Sequence, residues 1–289
     1  MLTSRTSVYG LIGDPLEHSI SPQIQNAAYA KMGLDAVYLC FRVRGSVVKA
    51  VRAAPILGIS GLNVTIPYKS RVIRALDAVD ELARKIGAVN VIRFGEETAG
   101  YNTDVAASMR VLREVAGDDL SGRSALLLGA GGSARAMAFG LAQEGCAVVV
   151  LNRTARKSAR LARDVSLHVP GASISSAGLN RRQLERAIPR SDVLINATPV
   201  GMYPNVGKSI VDSAMLRPEI VVMDLVYNPP ATRLLREARE VGCKTIGGLK
   251  MLVYQAADSI RIWTGKKAPI DIMLSEAERA LRNFAFQQS

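Results

Sequence analysis

A glycine-rich segment between a strand-like and a helical pattern constrains the fold more than any other feature of the chain. Gly129-Ala-Gly-Gly-Ser-Ala134 directly follows the apolar run Ala125–Leu128 and opens a helical pattern. In a βαβ unit, Gly129 permits a tight turn, Gly131 lets the backbone approach a pyrophosphate, and the small Ala134 lets the helix pack against the strand. The helix N-terminus supplies amides and partial positive charge to phosphates. The segment therefore predicts a Rossmann-like dinucleotide-binding domain with these cofactor residues: Gly129, Ala130, Gly131, Gly132 and Ser133.

The residues after the second strand of this unit indicate which dinucleotide is bound. Sites for NAD usually place an acidic residue there, about 20 residues beyond the glycines, to bind the adenosine ribose. This chain instead has Asn152-Arg153-Thr154 after the strand-like Ala147–Leu151, with Lys157 one helical turn later. An arginine, a hydroxyl and an ammonium group fit a ribose 2′-phosphate. The pattern predicts NADP, although a helix N-cap by Asn152 or Thr154 among solvated basic residues is the alternative interpretation.

Strand-like and helical patterns alternate along the whole chain, which predicts an α/β fold with largely parallel sheets. The 289 residues are enough for two domains of ordinary size. The first series of elements begins with the strand-like Val8–Ile12, and includes a helical pattern over Ser46–Leu57. We predict a substrate domain formed by residues 1–104 and completed by C-terminal helices within 250–289. Residues 105–249 are predicted to form the Rossmann-like NADP-binding domain, separated from the first by a cleft.

Composition argues against several classes of protein. Apolar residues make up 48% of the chain, yet no apolar run approaches the roughly 18 residues that span a bilayer. The N-terminus lacks the pattern of a signal peptide, so we expect a cytoplasmic protein without membrane contact. The cysteines Cys40, Cys146 and Cys243 form no CxxC pair and lie in or beside apolar runs. We therefore predict no metal site, and expect all three cysteines to be buried.

The net charge of +12 raises the hypothesis of a nucleic-acid partner. Basic residues are, however, scattered along predicted helices with acidic residues between many of them, and few aromatic residues are available for base stacking. We therefore predict no nucleic-acid binding. A basic cleft that attracts a polyanionic cofactor and an acidic substrate would use part of the same excess.

Several polar segments in the first half of the chain are candidates for substrate contacts. Ser19 and Ser21 are expected on one side of an extended segment, because Pro22 disfavours a helical Ser21, and the two hydroxyls could clamp a carboxylate. A helix cap and turn is the alternative. Asn63 and Thr65 alternate with apolar neighbours, so a strand can present them to a cleft while its other face packs.

The remaining polar candidates lie at the ends of predicted elements. Lys69 lies on or just after the turn that follows the strand carrying Asn63. Asn90 ends an apolar run, and Asp104 follows a turn at Gly100. Taken singly, Asn90 and Asp104 would be interpreted as a turn residue and a helix cap.

Together with Asn196-Ala-Thr-Pro-Val-Gly-Met202 and Gly248-Leu-Lys-Met-Leu-Val-Tyr-Gln255, these segments resemble the shikimate dehydrogenase family over nearly the whole chain. The resemblance implies an oxidoreductase that reversibly reduces 3-dehydroshikimate to shikimate with NADPH, in the shikimate pathway of aromatic amino-acid biosynthesis. It implies that Ser19 and Ser21 hold the substrate carboxylate and that Lys69 and Asp104 form the catalytic pair. Further substrate contacts implied are Asn63, Thr65, Lys69, Asn90, Asp104, Tyr227 and Gln255, and further cofactor contacts are Thr198, Leu225 and Gly248.

Two alternatives stay open at this point. One is a quinate or shikimate dehydrogenase that uses NAD, against which Ser21 and Arg153 both argue. The other is a non-catalytic NADP-binding sensor, against which the presence of both Lys69 and Asp104 argues. The expected partner is the small-molecule substrate, and a homodimer is compatible with the sequence.

Overall fold

The computed structural model describes residues 2–286, and the chain divides into two compact units. The first unit consists of Met1–Thr103 and Val253–Ser289, and the second of Asp104–Leu252.

The first unit is built on a six-stranded mixed sheet. Its elements before the second unit are β1 (Ser7–Gly13), α1 (Ser21–Lys31), β2 (Ala36–Arg42), α2 (Val47–Ala53), β3 (Ile59–Val64), β4 (Ala78–Val79), α3 (Glu81–Ile86), β5 (Val91–Arg93) and β6 (Ala99–Tyr101). The strand order is β2-β1-β3-β5-β6-β4. Strand β1 pairs in parallel with β2 and β3, whereas β5 is antiparallel to both of its neighbours.

The second unit is built on a six-stranded sheet in which every pairing is parallel. Its elements are α4 (Asp104–Ala116), β7 (Ser124–Leu128), α5 (Gly132–Gln143), β8 (Ala147–Asn152), α6 (Ala155–His168), β9 (Ile174–Gly178), α7 (Arg181–Ala187), β10 (Val193–Asn196), β11 (Val221–Asp224), α8 (Arg233–Val241) and β12 (Lys244–Gly247). Helix α9 (Gly248–Thr264) begins in this unit, whereas the part of α9 from Val253 onward and α10 (Ile270–Phe286) belong to the first unit. The strand order is β12-β11-β10-β7-β8-β9. Successive strands are added on one side of β7 up to β9 and then on its other side from β10 to β12, so the strand order reverses between β7 and β10.

The sequence of the second unit shows why it forms these elements. In β7, Ala125 to Leu128 are all buried, which is typical of a parallel strand covered on both faces. Helix α8 buries Leu234, Leu235 and Ala238, and it ends at Gly242, whose φ of +95° closes the helix in the left-handed conformation. Apolar runs therefore form the strands, and apolar residues at helical spacing form the face that packs on them.

The expectations for Ser46–Leu57 and for Cys40 in the first unit are wrong. The helical pattern over Ser46–Leu57 is interrupted, because Pro55 has no N–H for the helix and begins a separate 3₁₀ turn over Pro55–Leu57. Cys40 is exposed, whereas Cys146 and Cys243 are buried as expected. Cys40 lies in β2, which forms one edge of the sheet, and an apolar run in an edge strand does not ensure burial.

Within residues 2–286, no helix combines the length and the apolar character needed to cross a membrane.

Candidate active site

The predicted cofactor residues lie along one edge of the second unit's sheet. Gly129 directly follows β7, Asn152 ends β8, Thr198 lies two residues beyond β10, Leu225 follows β11, and Gly248 follows β12. Because all of these strands are parallel, their carboxyl ends meet at the same edge. The reversal between β7 and β10 makes this edge a topological switch point, where open α/β sheets bind their ligands.

The glycine-rich turn after β7 has the geometry that a phosphate site requires. Gly129 has a φ of +115°, a backbone conformation that favours glycine. A Cβ there would also lie 2.9 Å from the backbone oxygen of Ala197, so both the conformation and the lack of space exclude a side chain. Gly131 is the N-cap of α5, and the space around its missing Cβ is open to 4 Å. Ala134 is fully buried. The N-terminus of a 12-residue helix is thus left accessible to a phosphate.

The segment after β8 is basic and exposed. Thr154 occupies the N-cap position of α6, but within the described part of the chain its side chain accepts no capping hydrogen bond. The Asn152 Nδ2 group instead donates to the Thr154 backbone oxygen at 3.0 Å. Arg153 and Lys157 are both exposed. The geometry therefore leaves a hydroxyl, a guanidinium and an ammonium group available for a 2′-phosphate, rather than consumed in a helix cap.

Asp224, which the sequence analysis did not single out, connects the loops after β10 and β11. Its fully buried carboxylate accepts from Asn196 Nδ2 at 2.9 Å, from the Val226 N–H at 3.0 Å and from the Thr232 hydroxyl at 2.7 Å. Burial raises the pKa of Asp224 to about 6, although these hydrogen bonds oppose the shift. The sequence signal was an acidic residue at the end of an apolar strand.

The same network reaches the predicted cofactor residue Thr198. The Asn196 Oδ1 atom accepts from both the N–H and the hydroxyl of Thr198, at 3.1 and 2.7 Å. The Leu225 N–H donates to the Asn196 backbone oxygen at 2.9 Å. A Cβ on Gly248 would lie 2.3 Å from the Leu225 oxygen, so only glycine allows this approach of the α9 N-terminus. Thr198, Leu225 and Gly248 are therefore brought together by backbone and buried polar contacts.

On the first unit, the predicted substrate residue Asn63 is buried within a hydrogen-bond network. Its Oδ1 atom accepts from the Tyr38 hydroxyl at 2.8 Å. Its Nδ2 group donates to the Asn90 backbone oxygen at 3.1 Å and to the Ser259 hydroxyl at 2.8 Å. Ser259 in turn donates to the backbone oxygen of Gln255 at 2.9 Å. Neither Tyr38 nor Ser259 was singled out from the sequence.

Asn90 and Gln255 belong to the same network. The Asn90 Nδ2 group donates to Thr103 Oγ1 at 2.9 Å and to Gln255 Oε1 at 3.4 Å, and its Oδ1 atom accepts from the Thr103 N–H at 2.8 Å. The Thr103 hydroxyl donates to the Gln255 backbone oxygen at 3.1 Å. Asn63, Asn90 and Gln255, which are far apart in sequence, thus converge in one unit.

Strand β3 ends at Val64, so the expectation that this strand also carries Thr65 is wrong: Thr65 lies just beyond it, and Lys69 follows. Thr65 is half-buried, and its N–H donates to the Ile12 oxygen at 3.0 Å. The backbone oxygen of Lys69 accepts from the Val89 N–H at 2.8 Å. Because Val89 precedes Asn90, this bond holds the Lys69 backbone beside the network described above. The side chain of Lys69 is half-buried.

The conformation of the serine pair differs from the expectation. Helix α1 begins at Ser21 itself, so Ser21 is helical rather than extended. A proline in the first turn is compatible with this, because its missing N–H has no partner at a helix start. The Ser21 N–H donates to Ser19 Oγ at 3.3 Å, which places the Ser19 hydroxyl beside the Ser21 backbone.

Two predicted substrate residues belong to the second unit. Asp104 is buried and is the first residue of α4, directly after Thr103 in the chain. Tyr227 is half-buried in the loop after β11. The described residues, 2–286, contain no group of three or more His, Cys, Asp or Glu side chains that could hold a metal ion.

Three family models match the chain. Residues 11–92 match the shikimate dehydrogenase substrate binding domain, residues 111–250 match shikimate / quinate 5-dehydrogenase, and residues 248–278 match the shikimate 5′-dehydrogenase C-terminal domain. The shikimate dehydrogenase (NADP(+)) of Methanopyrus kandleri is 44% identical over 283 residues, which cover 96% of this chain and 97% of the relative.

The chain belongs to the shikimate dehydrogenase family.

Solved structures of this family have the same fold. A crystal structure of a shikimate dehydrogenase in complex with NADP⁺ is 41% identical, with a TM-score of 0.91, and covers 97% of this chain and 98% of its own. A quinate dehydrogenase from Corynebacterium glutamicum in complex with NAD is 32% identical, with a TM-score of 0.86 and coverages of 94% and 98%. The α/β fold class and the family resemblance are therefore confirmed, while the fold alone does not separate the two cofactors.

Proposed function

We propose that the protein catalyses the reversible reduction of 3-dehydroshikimate to shikimate with NADPH, in the pathway that leads to aromatic amino acids. The proposal rests on similarity over nearly the full length to enzymes named shikimate dehydrogenase (NADP(+)), including the Methanopyrus kandleri enzyme at 44% identity. It also rests on the presence of an arginine, rather than an acidic residue, after β8. The NAD-using quinate enzyme is not favoured, because Arg153 and Thr154 stand where an acidic residue would bind the ribose of NAD.

The residues at the switch point of the second sheet fit NADP. The amides of Gly129 to Ser133 would bind the pyrophosphate at the open N-terminus of α5. Arg153, Thr154 and Lys157 would bind the 2′-phosphate, with Asn152 holding the turn. Leu225 and Gly248 would border the nicotinamide, and Thr198 would complete the cofactor pocket. When bound, NADPH supplies the hydride.

The substrate and proton-transfer roles follow the family resemblance. Ser19 and Ser21 would hold the carboxylate, and the ring hydroxyls would contact Asn63, Thr65, Asn90, Asp104, Tyr227 and Gln255. Lys69 and Asp104 are the proposed catalytic pair. As general acid, the Lys69 ammonium group would donate a proton to the carbonyl oxygen and stabilise the negative charge that develops there. In the reverse direction, neutral Lys69 would accept the proton.

Several other expectations stay predictions. Residues 1–104 with the C-terminal helices are proposed as the substrate-binding domain, and residues 105–249 as the NADP-binding domain. A cytoplasmic location and assembly as a homodimer also stay predictions.

The proposal is tested by following NADPH absorbance with the full chain and 3-dehydroshikimate, and in the reverse direction with shikimate or quinate as substrate and NADP⁺ or NAD⁺ as cofactor. We expect turnover to favour shikimate and NADP⁺. Lys69→Met should lower kcat by about 10²- to 10⁴-fold with little change in shikimate affinity measured by calorimetry. Lys49→Met, on the exposed side of α2, is the matched control. Preference for quinate with NAD⁺ would overturn the assignment, and near-normal turnover of Lys69→Met would overturn the role of Lys69.

A further inference from the structure

The direction of the Asn63 side-chain amide is determined by its neighbours. The Asn90 backbone oxygen, 3.1 Å from Nδ2, has no proton to donate. The Ser259 hydroxyl, 2.8 Å from Nδ2, uses its proton in a bond to the Gln255 backbone oxygen at 2.9 Å. Both groups therefore accept from Asn63, and only an NH₂ group can donate to both of them. The amide nitrogen must lie on this side, and Oδ1 must lie on the other.

Tyr38 completes this arrangement from the opposite side. Because Oδ1 can only accept, the Tyr38 hydroxyl, 2.8 Å away, must be the donor. Tyr38 is itself held in place, since its ring is 1% exposed. The Asn26 side chain bonds both backbone groups of Tyr38, accepting from its N–H at 2.8 Å and donating to its oxygen at 3.0 Å. The phenol is thus a fixed donor aimed at Asn63.

These contacts leave the Asn63 side chain able to accept a hydrogen bond from a ligand but not to donate one. Both of its N–H groups are engaged with Asn90 and Ser259, and Tyr38 uses one of the two lone pairs of Oδ1. The other lone pair accepts one further hydrogen bond. Such a group binds a hydroxyl, which can donate, and it repels a carbonyl oxygen or a fluorine, which cannot.

We propose that Tyr38 is a positioning residue whose hydroxyl keeps the already oriented Asn63 amide from moving. The remaining lone pair of Asn63 Oδ1 is thereby held in place, so that Asn63 selects a ring hydroxyl over a ring carbonyl at the carbon it contacts. The proposal rests on the proposed function, because it assumes that Asn63 contacts the substrate ring. Tyr38 acts through Asn63 and has no contact with substrate in this role.

The first test removes the Tyr38 hydroxyl in the full chain. The Tyr38–Asn63 bond is present before substrate binds, so its loss reaches the KM through the freedom that Asn63 gains and that the substrate must then remove. With one neutral hydrogen bond, about 0.5–1.5 kcal/mol, as the upper measure of that cost, Tyr38→Phe should raise the KM for shikimate about 2- to 10-fold. The KM for NADP⁺ should change less than 2-fold. In an Asn63→Ala background, Tyr38→Phe should have almost no further effect on the KM for shikimate. The control is Tyr29→Phe in the same unit, because the Tyr29 hydroxyl is buried without a hydrogen-bond partner among the described residues.

An unchanged KM for shikimate in Tyr38→Phe, or an equal rise in the Asn63→Ala background, would overturn the proposal. So would an equal rise in Tyr29→Phe, since that would indicate a general packing effect. A wild-type protein that neither binds nor oxidises shikimate would instead refute the proposed function. The two failures are therefore distinguishable.

The second test uses only the wild-type protein and does not depend on a variant that folds. Calorimetry would compare shikimate with its monodeoxy and monofluoro analogues at each ring hydroxyl in turn. At the carbon that Asn63 contacts, identified as the one whose deoxy analogue loses no further affinity in Asn63→Ala, fluorine should weaken binding at least as much as hydrogen does. A fluoro analogue that binds there as tightly as shikimate would show that Asn63 donates, and would overturn the proposal.

Discussion

Asp224→Asn should change how the stability of the protein depends on pH. The substitution is nearly isosteric and retains the local hydrogen bonds. An asparagine oxygen can still accept from Asn196 and from the Val226 N–H. Its NH₂ group can donate to the Thr232 hydroxyl, which then rotates its own proton. The variant therefore removes the titration of a buried carboxyl group, and the cost of reversing the Thr232 bond is independent of pH, so it does not affect the pH dependence.

The sign and size of the effect follow from the pKa of Asp224, which burial raises from an ordinary 3.8 to about 6. Between these two values the folded protein binds more protons than the unfolded chain, so the stability contributed by this group falls as pH rises. It is fully present below about pH 4 and lost above about pH 6. The difference between a pKa of 3.8 in the unfolded chain and about 6 in the folded protein corresponds to about 3 kcal/mol of folding free energy.

The assay is urea unfolding of both proteins at half-unit steps from pH 3.5 to 7, analysed as the difference between them. We expect the wild type to lose about 2–3 kcal/mol relative to Asp224→Asn over this range. Asp192→Asn is the matched control, because hydrogen bonds from Ser124 lower the pKa of Asp192. In that pair the wild type should gain relative stability as pH rises. A difference for Asp224→Asn that is constant with pH, or that rises with it, would refute the reasoning.

Two further substitutions test the cofactor site and the packing of the first unit. Arg153→Ala should raise the KM for NADPH by the equivalent of roughly 1.5–3 kcal/mol and leave the KM for NADH unchanged. The exposed Arg156→Ala is the control, and equal effects of Arg153→Ala on both cofactors would contradict a role in 2′-phosphate binding. Gly61→Ala would place a Cβ 2.4 Å from Trp263 Nε1, which donates to the Ile92 oxygen at 2.9 Å. We expect thermal and urea unfolding to show a loss of about 1–3 kcal/mol, whereas Gly95→Ala, whose Cβ would be 4.0 Å from its nearest neighbour, should be nearly neutral.

Much of the cofactor side was predictable from sequence because its signals are local. A turn with positive φ requires glycine at position 129, and a helix that packs closely against a strand requires a small residue such as Ala134. The residue type after the second strand indicates whether the bound ribose carries a 2′-phosphate. Each of these constraints acts within a few residues of backbone. Parallel strands then bring their carboxyl ends to one edge in any doubly wound sheet, so the gathering of Gly129, Asn152 and Leu225 followed from the α/β pattern itself.

The polar networks could not be predicted in this way, because their partners are distant in the chain. Asn63 and Ser259 are separated by 196 positions, and only the packed first unit brings them within 2.8 Å. The exposure of Cys40 likewise depended on β2 being an edge strand, which strand pairing decides and periodicity does not.

The sequence by itself therefore determined which chemical groups the protein carries and the α/β frame that orders them. The tertiary structure alone decided which way the Asn63 amide faces and how strongly the Asp224 carboxyl group is desolvated. The physical reason is that backbone conformation responds to neighbouring residues, whereas hydrogen-bond direction and burial depend on whatever the rest of the fold places around a side chain.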